Sequence, residues 1–404
     1  MNNWQQHILG NVADIKLSNV DKITNKNEKV VKLCNYTDVY RNSFINKEKA
    51  QGFMTATCDE NEFKKFILRK GQVAITKDSE TTDDIGVSTY IKEDFEDVIL
   101  GYHLSLITPD EEKLDGKFLH YWLNTKQAKR YFENNAGGSG QRCTLTLDCI
   151  KSIPLYLPDN ATQIYIGKIL FDLDSKIELN NRINAILEAM AKTIYDYWFI
   201  QFDFPDKNGK PYKSSGGKMV WNEKLKREVP FDWDLRTIGE YANLSNGKGI
   251  NKKLLYKTGE YPVYGSNGIT GYTNEFLFNE AVIAIGRVGV NYGEVHYSLD
   301  PCWITDNAVT AQPKKGIYLW WLINTFRRIQ FKAIAGGSAQ PLITQGKLKE
   351  LKFAVPNNNL FKMFDDKVNS IYLQLNLNIK QNQQLRDVRD WLLPMLMNGQ
   401  VKVR

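Results

Sequence analysis

Apolar residues recur along two stretches of this chain in alternating steps of three and four. From Ile166 the series runs Leu170, Leu173, Ile177, Asn180, Asn184, Leu187, Ala191, Ile194 and Trp198. Near the C-terminus it runs Val368, Ile371, Leu375, Asn378, Asn382, Leu385, Arg389, Leu392 and Leu396, a gapless displacement of 198. Such alternation marks the seam of a heptad helix. Asn holds the same two seam positions in both series, and a buried Asn that meets another Asn fixes register. The pattern predicts two long helices that pair within the chain, antiparallel. Leu173, Ile177, Asn180, Asn184 and Leu187 of one would meet Ile371, Leu375, Asn378, Asn382 and Leu385 of the other. The plainer alternative is two amphipathic helices, each packed on its own domain. Pro158 and Pro205 bound the first helix, Pro356 and Gly399 the second. Pro394 falls within the last turns and is expected to kink them. At 1.5 Å per residue, a helix of about 40 residues is about 60 Å long.

The segments before these helices also repeat. Trp4, Leu9-Gly10 and Ala13 return as Trp233, Ile238-Gly239 and Ala242, displaced by 229. Ala136-Gly-Gly-Ser-x-Gln141 returns as Ala335-Gly-Gly-Ser-x-Gln340, displaced by 199. Strand-like runs 70–75 and 281–285 correspond, as do helical runs 117–125 and 317–325. The middles show no convincing match. Tyr261–Tyr272 and Gly286-Arg-Val-Gly289 stand alone in the second half. A duplicated chain of this kind suggests two similar α/β modules that must touch two similar things at a fixed distance.

Charge refines this picture. The net charge is +7, but residues 1–158 sum to −1, 159–203 to −3, 204–231 to +4, 232–356 to +4 and 357–404 to +3. Polyanion binding is compatible with these values, yet contacts in the first half would need local patches. The stretch Asp78–Asp97 holds eight carboxylates and reads as a solvated loop facing away from phosphate. The polar N-terminus shows no signal peptide, and no run is long and apolar enough to span a membrane. Five Cys without CxxC spacing read as reduced thiols, so a cytoplasmic location is expected.

Catalytic motifs are missing from the sequence. It contains no phosphate-binding G-x-x-x-x-G-K-[ST] loop, no G-x-S-x-G elbow and no amino-methyltransferase [DN]-P-P-[YF] motif. The four His lack metal-ligand spacing, and Gly265–Gly271 is spaced as a hairpin turn. Pro109-Asp-Glu-Glu-Lys113 superficially resembles a nuclease motif but lies in one turn-like stretch. The chain on its own is expected to catalyse nothing.

The order of module, Pro, heptad helix, basic linker, module, Pro and heptad helix resembles the specificity subunit of type I restriction–modification enzymes. The W-x4-[LI]-G openings, YPVYGSNGITGYTNE, IAIGRVG, ITDNA and the two GGS-x-Q loops carry the resemblance. It covers essentially residues 3–400. It implies an α/β fold with two similar target-recognition domains, separated by two long helices that pair as an antiparallel coiled coil. The expected boundaries are 1–158 for the first domain, 159–203 for the first helix, 204–231 for a basic linker, 232–356 for the second domain, and 357–404 for the second helix and tail.

The resemblance also implies a function. Each domain would read half of a bipartite site in double-stranded DNA, and the helices would space the halves and dock two methyltransferase subunits, with restriction subunits joining. S-adenosylmethionine, ATP and Mg would belong to those partners, with no cofactor or metal on this chain. The two helices share pattern more than letters, so the two docking surfaces need not be equivalent. A second reading is a scaffold or decoy that binds methyltransferase subunits without reading DNA.

Base readout needs side chains that reach base edges, chiefly Arg, Lys, Asn and Gln. In the second module the candidates are Lys248, Lys252 and Lys253 on a Gly-rich loop, with Asn267 and Arg287 in Gly-flanked loops and Tyr292 beside them. In the first they are Arg41, Lys77 and Arg142, with Gln141 and its twin Gln340 in the repeated loops. A merely solvated side chain is the competing reading at each position.

Overall fold

A computed structural model describes residues 4–138, 142–336 and 342–401. The chain folds into two compact units, Met1–Asn181 with Ile379–Arg404, and Arg182–Asn378. Each contains part of both long helices, which run Asn160–Tyr195 and Asn358–Met397. Asp159 Oδ1 accepts the Thr162 N–H, and Asn357 Oδ1 those of Asn359 and Leu360, so each helix starts on a side-chain cap just after its proline. A π-type turn, Asp196–Ile200, ends the first. The second continues past Pro394 for three residues.

The helices pair antiparallel through Asn180, Asn184, Asn378 and Asn382, joined by Asn181, which the heptad pattern did not single out. In the first unit Asn180 Nδ2 donates to Asn382 Oδ1 at 2.8 Å, and Asn382 Nδ2 donates to Asn181 Oδ1 at 2.8 Å. In the second unit Asn378 Nδ2 donates to Asn184 Oδ1 at 2.8 Å. Asn180, Asn378 and Asn382 are buried, as are Ile177 and Leu375. Leu173, Leu187, Ile371 and Leu385 are half-buried, and Leu187 and Ile371 pack against the core of the second unit. The seam thus combines an apolar stripe with amide pairs that are satisfied in one register.

The units share one architecture. In the first, the main sheet orders its strands Ala13–Leu17, Leu104–Pro109, Val73–Thr76, Ser88–Ile91 and Phe44–Ile45. In the second the order is Ala242–Asn246, Ala308–Pro313, Val282–Gly286 and Val295–Ser298. Each unit adds a three-stranded sheet in which an antiparallel pair takes a third, parallel strand. These are Met54–Cys58, Lys29–Cys34 and Val98–Leu100, against Gly268–Thr273, Tyr261–Gly265 and Trp303–Ile304. Each closes with a two-stranded ladder that pairs its opening segment with the strand before the long helix: Gln5–Ile8 with Pro154–Leu157, and Asp234–Thr237 with Lys352–Val355. The middles therefore match in backbone where the sequence showed no match.

Two expectations about local structure change. The acidic stretch Asp78–Asp97 is not one solvated loop. Ser88–Ile91 within it is a fully buried strand, and the Asp78 carboxylate is largely covered. Residues 204–231 carry a hairpin, Met219–Asn222 with Arg227–Pro230. Phe204 and Val229 enter the core of the second unit, and Arg227 donates to the Ile200 carbonyl at 2.6 Å.

Each unit grips the long helices through its own short helix. In the first, Gly116–Leu123 presents Tyr121, which donates to Asp174 at 2.7 Å, while Arg389 pairs with the other oxygen at 2.6 Å. In the second, Leu319–Arg328 presents Trp320, stacked on Tyr372 at 4.1 Å, and Asn324, which donates to the Tyr372 hydroxyl at 2.7 Å.

Candidate nucleic-acid interface

In the second unit several loops meet at one end of the sheets. The tight turn Ser266-Asn267 joins two strands, and Gly268 takes φ +82, a region that favours glycine. Ser266 Oγ donates to the Asn307 carbonyl at 2.6 Å. The Arg287 N–H donates to the same carbonyl at 3.0 Å, and the Arg287 carbonyl accepts from the Ile343 N–H at 3.0 Å. Lys248 N–H bonds the Ile304 carbonyl at 2.9 Å, while its own carbonyl accepts from Trp303 Nε1 at 2.7 Å. A Cβ at Gly247 would collide with the Thr305 carbonyl, so glycine permits this approach. The loops 247–249, 266–267, 287–293 and 304–307 thus form a single cluster.

The candidate side chains of this cluster differ in exposure. Lys248 and Asn267 are exposed, and Arg287 and Tyr292 are half-buried. Lys252 and Lys253 are exposed on a short turn that Asn251 caps. Arg287 Nε, His296 Nε2 and Thr305 Oγ1 are buried without a hydrogen-bond partner among the described residues. Buried polar groups are rarely left in this state. His296 lies beside Gly268, where a Cβ would stand 3.1 Å from the ring. Neither His296 nor Thr305 was a sequence candidate. A His within a strand and a Thr after an Ile give no signal in one sequence.

The first unit repeats the two main-chain bonds of the Arg287 position. The Lys77 N–H donates to the His103 carbonyl at 3.0 Å, and the Lys77 carbonyl accepts from Leu145 N–H at 2.7 Å. Gly86 at φ +79 lies against the Phe132 ring, as Gly293 at φ +88 lies against that of Phe331. Lys77 is the counterpart of Arg287, and His103 of Asn307. Where the second unit has its two-residue turn, the first inserts residues 35–53, including the helix Tyr36–Arg41. Arg41 is exposed on that insert, and Arg142 is exposed just before the short strand Cys143–Thr144.

Lys77 differs from the other candidates in its burial. It is 9% exposed. Its Nζ lies 3.4 Å from Asp78 Oδ2 and over the Tyr102 ring. The ammonium is thus paired within the fold. Asp78 also accepts from Thr144 Oγ1 at 2.7 Å and from His103 Nδ1 at 2.7 Å. Burial alone would raise its pKa, but the Thr144, His103 and Lys77 interactions outweigh burial and hold it below the usual carboxylate range. Gln141 and Gln340 lie outside the described residues.

No cluster of His, Cys, Asp and Glu among the described residues could hold a metal ion. Asp110 and Lys113 pair with each other at 2.7 Å within one turn. His120 is buried beside Ser88 Oγ, 2.9 Å from Nδ1, and burial pushes its pKa down to about 4, so the ring is neutral. No described helix is long and apolar enough to cross a membrane.

The two units share one architecture, and each contains part of both long helices, so the chain is a duplicated α/β scaffold. The model of the type I restriction modification DNA specificity domain matches residues 1–189 and 230–382, and the chain belongs to that family. It is 22% identical to the type I restriction enzyme HindI specificity subunit of Haemophilus influenzae, with 99% of this chain and 100% of that protein covered. It is 32% identical to the EcoprrI specificity subunit of Escherichia coli over 30% of this chain and 31% of that one. The crystal structure of a type I restriction–modification S subunit from M. genitalium superposes with a TM-score of 0.60 at 18% identity, covering 98% of this chain and 96% of that one.

Proposed function

We propose that this chain is the DNA-reading subunit of a type I restriction–modification complex, each unit reading one half of a split site. The observation that carries this reading is the repeated loop frame. One set of main-chain bonds places Lys77 and Arg287 at the same point, while the side chains around them differ. A protein that must read two different half-sites needs such an arrangement, because the frame fixes position and the side chains specify bases. The helix pair is the spacer. Its satisfied Asn pairs hold one register, and half-sites on B-DNA tolerate little slip, since one turn is about 34–36 Å.

Exposed apolar side chains on the helices support docking of methyltransferase subunits there. Leu179, Val388 and Trp391 stand out in the first unit, and Ile186, Met190 and Leu377 in the second. In this reading S-adenosylmethionine, ATP and Mg act on the partner subunits.

Co-expression with a type I methyltransferase subunit, followed by genome-wide mapping of N6-methyladenine, tests the reading. The expected result is methylation confined to one motif of two short halves around an unspecified gap. Inserting one heptad at the matched position of both helices should lengthen the gap and leave both halves unchanged. Complex formation without sequence-restricted methylation would favour a scaffold that does not read DNA.

A further inference from the structure

The first unit carries a cationic face that its sequence did not single out. Lys126, Lys129 and Arg130 are exposed on the helix Lys126–Asn135, which starts at the Thr125 cap. With Arg41 they line a cleft of 980 Å³. None of the three forms an ion pair among the described residues. The opposite side of the helix is tied to the reading loop, because Phe132 packs on Gly86 within residues 77–87. On the other flank Tyr40, next to Arg41, donates to Asp84 of that loop at 3.0 Å. Exposed cations therefore stand on both sides of the loop that corresponds to the Arg287 loop, with Arg41 near Asp38 of its own helix.

The second unit treats its cations differently at the comparable place. Arg327 lies 3.8 Å from Glu188 on the first long helix, and Arg328 lies 2.5 Å from Asp196 in the π-type turn that ends it. There the charges secure the fold. In the first unit the loop cation Lys77 is buried, and residues 1–158 sum to −1, so bulk charge cannot draw a polyanion. Three unpaired cations at i, i+3 and i+4 share one helix face.

We propose that the face formed by Lys126, Lys129 and Arg130, with Arg41 across the cleft, grips the phosphate backbone of the duplex half-site that the first unit reads. This rests on the function proposed above. The grip carries no sequence information; it holds the duplex against the reading loop.

The test uses the full chain co-purified with its methyltransferase partner. Binding to a duplex with the mapped motif and to a scrambled duplex is measured from low to moderate salt. Combined Lys126→Gln, Lys129→Gln and Arg130→Gln should weaken both by a similar factor. The slope of log K against log salt should become shallower by about 0.9 per lost phosphate contact, or about 3 in all. The methylated motif should not change. A control pair, Lys64→Gln with Lys65→Gln on the helix Glu60–Phe66, should leave the slope intact. An unchanged slope in the triple variant, or an equal change in the control, overturns the proposal. Loss of methyltransferase from the complex at an unchanged slope would overturn it too and assign the face to a protein partner. A wild-type complex with no preference for any split motif would instead sink the function on which it rests.

Discussion

In the second unit the cation that follows the central strand is Arg287, half-buried, with Nε unpaired. In the first it is Lys77, covered by Tyr102 and paired with Asp78. The main-chain bonds at the two positions are the same, to His103 and Leu145 in one unit and to Asn307 and Ile343 in the other. The residue after the cation makes the difference. Asp78 in the first unit draws its neighbour inward, while Val288 in the second cannot. A duplicated frame therefore does not duplicate side-chain surroundings position by position. The short helices differ in the same way: one meets the seam through charge, at Tyr121, Asp174 and Arg389, and the other through the Trp320–Tyr372 stack.

The largest expected effect breaks this second contrast. Arg389→Ala leaves the Asp174 carboxylate, 6% exposed, with only the Tyr121 hydroxyl. Removing one partner of a buried pair costs about 3–5 kcal/mol, and the lower end suits Arg389, which is partly exposed. Hydrogen exchange should show the first unit opening more readily and the second unchanged. Adding Asp174→Asn should restore much of the loss, because the uncompensated charge is gone. Equal loosening of both units would mean that the helix pair, and not the local ion pair, carries the stability.

Arg287 sharpens the first contrast. Arg287→Ala should weaken binding to the mapped site by about 1–3 kcal/mol and leave scrambled DNA nearly unaffected. Lys77→Ala should show no such selectivity, because that ammonium is already occupied within the fold. An equal loss on mapped and scrambled DNA would make Arg287 a phosphate contact.

The seam was fully legible in the sequence, since heptad spacing and matched Asn positions are side-chain properties that pairing directly requires. The ends of the modules were legible for a related reason. Trp4 and Trp233 open equivalent segments, and Phe132 and Phe331 pack on equivalent glycines. The middles were not, because strand order and the bonds at Lys77 and Arg287 are made by backbone groups that every residue carries. The insert 35–53, replacing a two-residue turn, further displaced the alignment. The burial of Lys77 was not legible, because nothing in one sequence says that Asp78, Thr144 and His103 converge on one point from three segments. The Lys126–Arg130 face was missed for want of a repeat, since its place in the second half is held by cations bound to Glu188 and Asp196.

The smallest expected effect concerns that convergence. Asp78 has a folded-state pKa below its ordinary value of about 3.9. A depressed carboxylate adds stability above the unfolded pKa, and that contribution fades as pH falls through the folded value. Asp78→Asn should therefore destabilise the first unit near neutral pH. The gap between variant and wild type should narrow as pH drops from about 5 through the ordinary carboxylate range and below it. Hydrogen exchange over the loop 77–87 across that range provides the reading. The second unit, with Val288 at the matching position, should show no such pH-dependent gap. A gap that stays constant with pH would mean that the Asp78 hydrogen bonds hold the loop through shape alone, and the contrast with Arg287 would then be one of packing and not of charge.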